Sequence, residues 1–186
     1  KQVLRELVGI EIVGWVDQVG KITACVDSNS VTRADVEAND VRCPDPSSAE
    51  AMLSLIKEVQ VDGDTIGGVV RCVARGVPAG LGEPVFDKLE ADMAKAMLSL
   101  PAAKGFESGL GYGSLGLRGS EHNDLFRQGE GARISTKTNN SGGIQGGISN
   151  GMPVTISVAF KPVATIFQPQ ETVNTSGEPA TITAKG

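Results

Sequence analysis

Thirteen of the 47 residues between Gly105 and Gly151 are glycine, a density at which neither regular helices nor long strands form. Glycine in a helix interior costs about 1 kcal/mol relative to alanine. In loops it lets the backbone adopt left-handed conformations and approach a ligand closely. A long Gly-rich stretch inside a compact chain therefore predicts a functional loop region, carried by more regular structure on both sides.

That regular structure is legible on each flank. Residues 1–8 read as the tail of a helix that Gly9 ends. Ile10 to Val16 and Val19 to Val26 read as strands paired through a turn at Gln18–Gly20, and residues 27–43 are polar and mixed, with no assignable element. Asp45-Pro46-Ser47 opens a helix, with Asp45 or Ser47 as cap and Pro46 in the first turn. Ala49, Met52, Leu53, Ile56 and Val59 supply its apolar face, and Val61 to Asp64 ends it. Ile66 to Val77 reads as a buried strand. A second helix is predicted from Pro84 to about Leu100, with Phe86, Leu89, Met93, Ala96, Met97 and Leu100 along one stripe. Val154, Ile156, Val158 and Phe160 alternate with Thr155, Ser157, Ala159 and Lys161, a strand with one apolar and one polar face. Thr172–Thr175 and Thr181–Ala184 predict a closing hairpin around Ser176 to Pro179. The expectation is one α+β domain over 1–186, with the loop region at about 105–151.

Composition narrows the chemistry. The net charge of −5 argues against a nucleic-acid surface. Residues 1–102 carry ten Lys or Arg against sixteen Asp or Glu, whereas residues 103–165 carry six against four. A small anion is expected to prefer the second region. Three widely spaced cysteines with no C-x-x-C pair read as reduced core or half-buried thiols, and one His with three scattered Cys makes no structural zinc site. No apolar run is long enough to span a bilayer. The absent initiator Met and the lack of a signal h-region predict a piece of a longer protein, of cytoplasmic or plastid-stromal location.

Few motifs carry chemistry by themselves. Gly111-Tyr112-Gly113-Ser114-Leu115-Gly116 matches the G-x-G-x-x-G string, but the Leu117-Arg118-Gly119-Ser120 that follows does not read as the helix opening a dinucleotide site needs. Ser141 to Gly151 holds five glycines in eleven residues. It reads equally as backbone that wraps an anion or ring edge and as tight turns joining strands. His122 is the only imidazole and reads first as structural. Glu121/Asp124 and Asp62/Asp64 read as turn and surface carboxylates.

Several blocks nevertheless have a recognisable wording. Arg42-Cys43-Pro44-Asp45, Asp62 to Gly68, Gly80 to Leu89, Lys104-Gly105-Phe106-Glu107, Thr138 to Gly151 and Phe160 to Thr165 resemble the chorismate synthase family. The resemblance covers essentially the whole chain, and the glycine loop is similar to fungal and other eukaryotic members. It implies a β-α-β sandwich with helices between antiparallel sheets, here truncated at both ends, and a homotetramer. It implies a lyase that eliminates phosphate from 5-enolpyruvylshikimate-3-phosphate to give chorismate, with reduced FMN, in aromatic amino-acid biosynthesis.

Matched position by position, the resemblance places flavin contacts at Ala102 after Pro101, at Gly146, and at Lys161, Pro162, Val163, Ala164 and Thr165. The family's two essential histidines, in Ser-His-Gly and Gly-His-Ala-Asp blocks, have no counterpart here, and His122 matches neither. The family's Ser-Ala-Arg and Arg-His-Asp-Pro segments are also absent. The expectation is a core with no catalytic group of its own, inactive alone and binding FMN weakly if at all. The competing reading is a non-catalytic anion-binding or assembly module.

Overall fold

The computed structural model describes residues 1–129 and 134–184. Its framework is a five-stranded antiparallel sheet formed by β1 (Glu11–Val19), β2 (Ile22–Thr23), β3 (Gly68–Arg75), β4 (Ala103–Ser108) and β9 (Val154–Phe160), in the order β2-β1-β3-β9-β4. Between β4 and β9 the chain makes two small hairpins, β5 (Phe126–Gln128) with β6 (Ile134–Thr136) and β7 (Ile144–Gln145) with β8 (Ile148–Ser149). A final hairpin pairs β10 (Gln170–Val173) with β11 (Pro179–Ile182). The helices are α1 (Gln2–Val8), α2 (Arg33–Val36), α3 (Pro46–Val61), α4 (Leu89–Leu98) and the one-turn α5 (Gly119–His122). This is the expected α+β architecture of helices on antiparallel sheet.

Both faces of the sheet are covered, which explains its composition. Ile12 and Ala74 point to one face, where they join Ile10, Val77, Ile144 and Val154 beneath Leu89 and Met93 of α4. Val13, Trp15 and Val73 point to the other, under Val31 and Val36 from the segment that sequence patterning could not place. That segment is held by a reciprocal cap, Thr32 with Asp35, at the start of α2. Trp15 is 1% exposed, and its indole N–H donates to the buried Asp17 carboxylate at 3.0 Å. Arg71 completes the charge at 3.5 Å and donates to Ser157 at 3.3 Å.

The caps read from sequence are present at two helices. Gly9 ends α1 with φ 71°, and Asp45 accepts the amides of Ser47 and Ser48 at the start of α3. Several boundaries differ. The turn after β1 falls at Gly20–Lys21 rather than Gln18–Gly20, because β1 continues to Val19 before pairing with Ile22. The last hairpin lies about two residues earlier than expected, with Val173 opposite Pro179. Cys43 is buried and Cys72 half-buried, and burial pushes both thiols up, but Cys25 is exposed.

Two differences have informative causes. α4 begins at Leu89 and not at Pro84, because the preceding loop is tied elsewhere: Glu83 N–H donates to Asp87 at 2.9 Å and Leu89 N–H donates to the Gly147 carbonyl at 2.9 Å. Phe86 therefore leaves the apolar stripe and stands 90% exposed. β9 has no solvated polar face either. It lies between β3 and β4, and Ser157 is buried along with Val154, Ile156 and Val158.

Asp124 organises the glycine loop. It is 6% exposed, and its carboxylate accepts Thr138 Oγ1 at 2.7 Å, Asn140 N–H at 2.8 Å, Ser141 N–H at 2.9 Å and the Ser141 hydroxyl. Burial pushes its carboxyl up, but the bonds from Ser141, Thr138 and Asn140 outweigh it and hold the group below its ordinary value. Its contribution to stability is full above the unfolded carboxylate value near pH ~4 and is lost as pH falls through the lower folded value. Asp124→Asn is expected to cost about 1–3 kcal/mol in urea melts at neutral pH, with a smaller loss between neutral and acid pH than in the parent. Met52 is fully buried against Val19, Cys43 and Ala49. Met52→Ala is expected to lower unfolding free energy by about 2–5 kcal/mol with an unchanged denaturant slope.

Candidate functional site

The Lys161 end of β9 is an exposed corner built by three segments. Between α4 and β4 the chain must reverse, and Ala102 makes that turn with φ 65°, a left-handed conformation uncommon outside glycine. The Ala102 carbonyl accepts the Lys161 amide at 3.0 Å, which extends the β4–β9 ladder one step past its last pair. Pro162 to Thr165 then leave the sheet in an exposed run. The Lys161 ammonium bonds only the neighbouring Pro162 carbonyl, at 3.2 Å, and joins no ion pair among the described residues.

The block Asp62 to Gly68 holds that run in place. Thr65 Oγ1 donates to the Val163 carbonyl at 2.6 Å, Phe167 N–H to the Gly63 carbonyl at 2.8 Å, and the Gln168 amide to the Asp62 carbonyl at 2.8 Å. Gly67 is required by contact: a Cβ there would stand 2.6 Å from the Phe160 carbonyl oxygen and 3.0 Å from Pro162 Cδ. Sequence patterning read Val61 to Asp64 as a turn and Ile66 to Val77 as a strand, whereas β3 begins only at Gly68. The signal of the brace was the adjacent Gly67-Gly68 pair at the opening of a β-branched strand, which marks a close backbone crossing.

The glycine loop lies at the other end of β9. Gly109 and Gly142 cross so closely that a Cβ on Gly109 would stand 2.6 Å from the Gly142 nitrogen. Gly146 (φ 62°) and Gly147 (φ 88°) form the two-residue turn of the β7–β8 hairpin, the conformation that such turns require. Ser149 fastens the hairpin to the chain ahead of α4, donating to the Pro78 carbonyl at 2.6 Å and accepting Leu81 N–H at 2.9 Å. Many of the loop's polar groups are thus engaged in joining segments. Gly146 itself faces open space, with no atom within 4 Å of a Cβ built on it.

The expected flavin contacts accordingly separate into two groups. Ala102 and Lys161 to Thr165 share one corner, while Gly146 sits beyond the opposite end of β9. Two surface concavities of about 790 Å³ each lie elsewhere, one beside α1, β1 and α2, the other beside Val77–Ala79, Arg127–Gly129 and Asn150–Met152. Neither is lined by an expected contact.

The other residues singled out from sequence serve as scaffolding. Gly111–Gly116 is a 3-10 turn; a helix does open after it, at Gly119, but α5 runs only one turn. Glu121 caps that turn by accepting Arg118 N–H at 2.7 Å, and Glu107 accepts Tyr112 N–H at 2.9 Å. His122 offers its carbonyl to the Asn140 amide at 3.0 Å. Asp64 accepts Thr65 N–H at 2.7 Å, as a turn carboxylate does. No helix of the described residues is long and apolar enough to cross a membrane.

Comparison with known proteins follows the same lines. Residues 1–186 match the family model described as chorismate synthase. The chorismate synthase of Acaryochloris marina is 55% identical over all 186 residues, which make up 51% of that relative. That of Synechococcus sp. WH7803 is 54% identical over the same share of each chain. A solved structure titled "Crystal Structure of Chorismate Synthase" superposes with a TM-score of 0.76 at 32% identity, covering 88% of this chain and 53% of that one. The chain thus spans about half the length of the curated relatives it matches. With wording, whole-chain identity and fold in agreement, the chain belongs to the chorismate synthase family.

Proposed function

We propose that the chain is the central part of a lyase that converts 5-enolpyruvylshikimate-3-phosphate to chorismate and phosphate with reduced FMN, in the shikimate pathway. The observation that carries this reading is the family match over residues 1–186, joined to the gathering of Ala102 and Lys161 in one exposed, braced corner. In the reaction a C–O bond to phosphate and a ring C–H bond break and a new C=C forms. There is no net oxidation. Reduced FMN, when bound, lends electron density as phosphate leaves.

The residues present suit such a group. The Lys161 ammonium has no carboxylate partner among the described residues and is available to an anionic part of the cofactor. Pro162 to Thr165 present main chain that Thr65 and Gly63 hold still, so little ordering is required on binding. Gly146 leaves room for close approach of a ring edge. None of these groups moves a proton in the elimination. The catalytic acid–base groups and many of the arginines that hold phosphate and carboxylate are assigned to parts of the enzyme outside these 186 residues. The parent is read as a homotetramer of the cytoplasm, or of the plastid stroma in a plant or alga.

Titration of the purified chain with FMN under reducing conditions, followed by flavin absorbance, tests the cofactor assignment. Weak saturable binding is expected, and Lys161→Ala is expected to weaken it by roughly tenfold, the worth of one charge-assisted hydrogen bond. A folded chain that takes up no FMN at millimolar concentration refutes a preformed flavin site. The same chain is expected to form no chorismate, and robust turnover refutes the placement of the catalytic groups elsewhere.

A further inference from the structure

Among the described residues, Thr65 makes the one hydrogen bond that reaches the Pro162–Thr165 run from a distant part of the chain. Its hydroxyl donates to the Val163 carbonyl at 2.6 Å, across a sequence separation of 98. That hydroxyl is itself held in place. Thr65 N–H donates to the Asp64 carboxylate at 2.7 Å. Two residues on, Gly67 lies so close to the exit of β9 that a Cβ there would stand 2.6 Å from the Phe160 carbonyl oxygen. The far end of the run is anchored as well, by Phe167 N–H on the Gly63 carbonyl at 2.8 Å.

A bond to the Val163 carbonyl decides where the next amide points. The Val163–Ala164 peptide is trans, and in a planar trans unit the C=O and the following N–H point in opposite directions. Pinning the Val163 oxygen on Thr65 therefore turns the Ala164 N–H away from the Asp62–Gly68 block. No acceptor takes it there. Among the described residues the amides of Val163, Ala164, Thr165 and Ile166 donate to no acceptor. Exposed amides of this kind bond water, which a ligand oxygen can displace. Thr65 thus withdraws one acceptor from the surface and presents one donor, next in the chain to the Lys161 ammonium, which bonds only the Pro162 carbonyl. Fixed main-chain donors beside a cation favour an anionic ligand. Without the hydroxyl the same peptide is free to turn over and offer its carbonyl, which repels an anion.

We propose that Thr65 is a positioning residue for the flavin. Its hydroxyl holds the Val163–Ala164 peptide so that the Ala164 N–H is aimed at the anionic part of the cofactor. Thr65 touches no ligand and acts through that peptide. The identity of the ligand rests on the cofactor assignment above, whereas the aim of the amide rests on the Thr65–Val163 bond.

Thr65→Val keeps the shape of the side chain and removes the donor, while Thr65→Ser keeps the donor. Parent and variants are titrated with FMN under reducing conditions, and the Ala164 amide is followed by NMR in isotope-labelled chain as inorganic phosphate is added. Thr65→Val is expected to weaken FMN uptake about fivefold, the worth of one neutral hydrogen bond, and Thr65→Ser to restore it to within about twofold. The Ala164 resonance is expected to move with phosphate in the parent and in Thr65→Ser but not in Thr65→Val. A folded Thr65→Val chain with the parent's FMN affinity overturns the positioning role and leaves the cofactor assignment standing. Weakened uptake with the phosphate response intact reflects a general loosening of the run and overturns the aiming of the amide, as does an Ala164 resonance that ignores phosphate in the parent. A parent chain that takes up no FMN overturns the cofactor assignment, and the phosphate response still decides whether Thr65 aims the amide at an anion.

Discussion

The pairing of β9 on both of its edges is the constraint from which the rest of the molecule follows. β9 bonds to β3 along Gly68–Ala74 and to β4 along Ala103–Ser108, so neither edge is free and neither face is solvated. Burial of Val154, Ile156 and Val158 contributes on the order of 1.5–3 kcal/mol each relative to exposure. That strand sets the distance between the glycine hairpin at its start and the Lys161 corner at its end. It also places α4 between the two, because α4 packs on the face that Val154 shares with Ile12 and Ala74.

Close backbone crossings then bind the loops to this frame. At Gly67 the chain passes under the exit of β9, and at Gly109 and Gly142 two loops meet with no space for a side chain. Asp124 closes the second crossing by accepting bonds from residues 138, 140 and 141. These contacts need small residues and an anionic hub, which accounts for the glycines at the two crossings. They also divide the glycines by purpose. Gly67, Gly109 and Gly142 allow packing, whereas Gly146 leaves space into which a ligand or partner can come.

Two of the left-handed non-glycine residues stand at the same corners. Among the described residues Arg42, Val85 and Ala102 have positive φ, a conformation that costs about 1–3 kcal/mol each and persists only where surrounding bonds impose it. Ala102 is imposed by the reversal from α4 into β4, and Val85 by the loop fastened to the glycine hairpin. Both lie at the corners where the flavin contacts are expected. Arg42 lies at neither corner; it turns the chain ahead of α3, with its carbonyl accepting the Val16 amide at 3.0 Å.

Much of this was legible in the amino-acid order. Alternating β-branched runs located β1, β3 and β9, Gly9 and Asp45 marked helix ends, and the wording of blocks such as Gly80–Leu89 and Thr138–Gly151 carried the family and its expected contact residues. These signals are local, so a linear pattern records them. The start of α4 was misread because Pro84, Phe86 and Leu89 keep helical spacing, while the carbonyl that takes the Leu89 amide belongs to Gly147, far along the chain. Val31 and Val36 were missed as core because their partners, Trp15 and Val73, arrive from two other strands. The sequence by itself determined β1, β3, β9, the long helices and the family, whereas β4, α2 and the short hairpins of the glycine-rich stretch carried no local signal. Only the tertiary structure decided that Gly146 and Lys161, fifteen residues apart in the chain, stand at opposite ends of one strand, because a fully paired strand is rigid and extended and cannot fold back to join them.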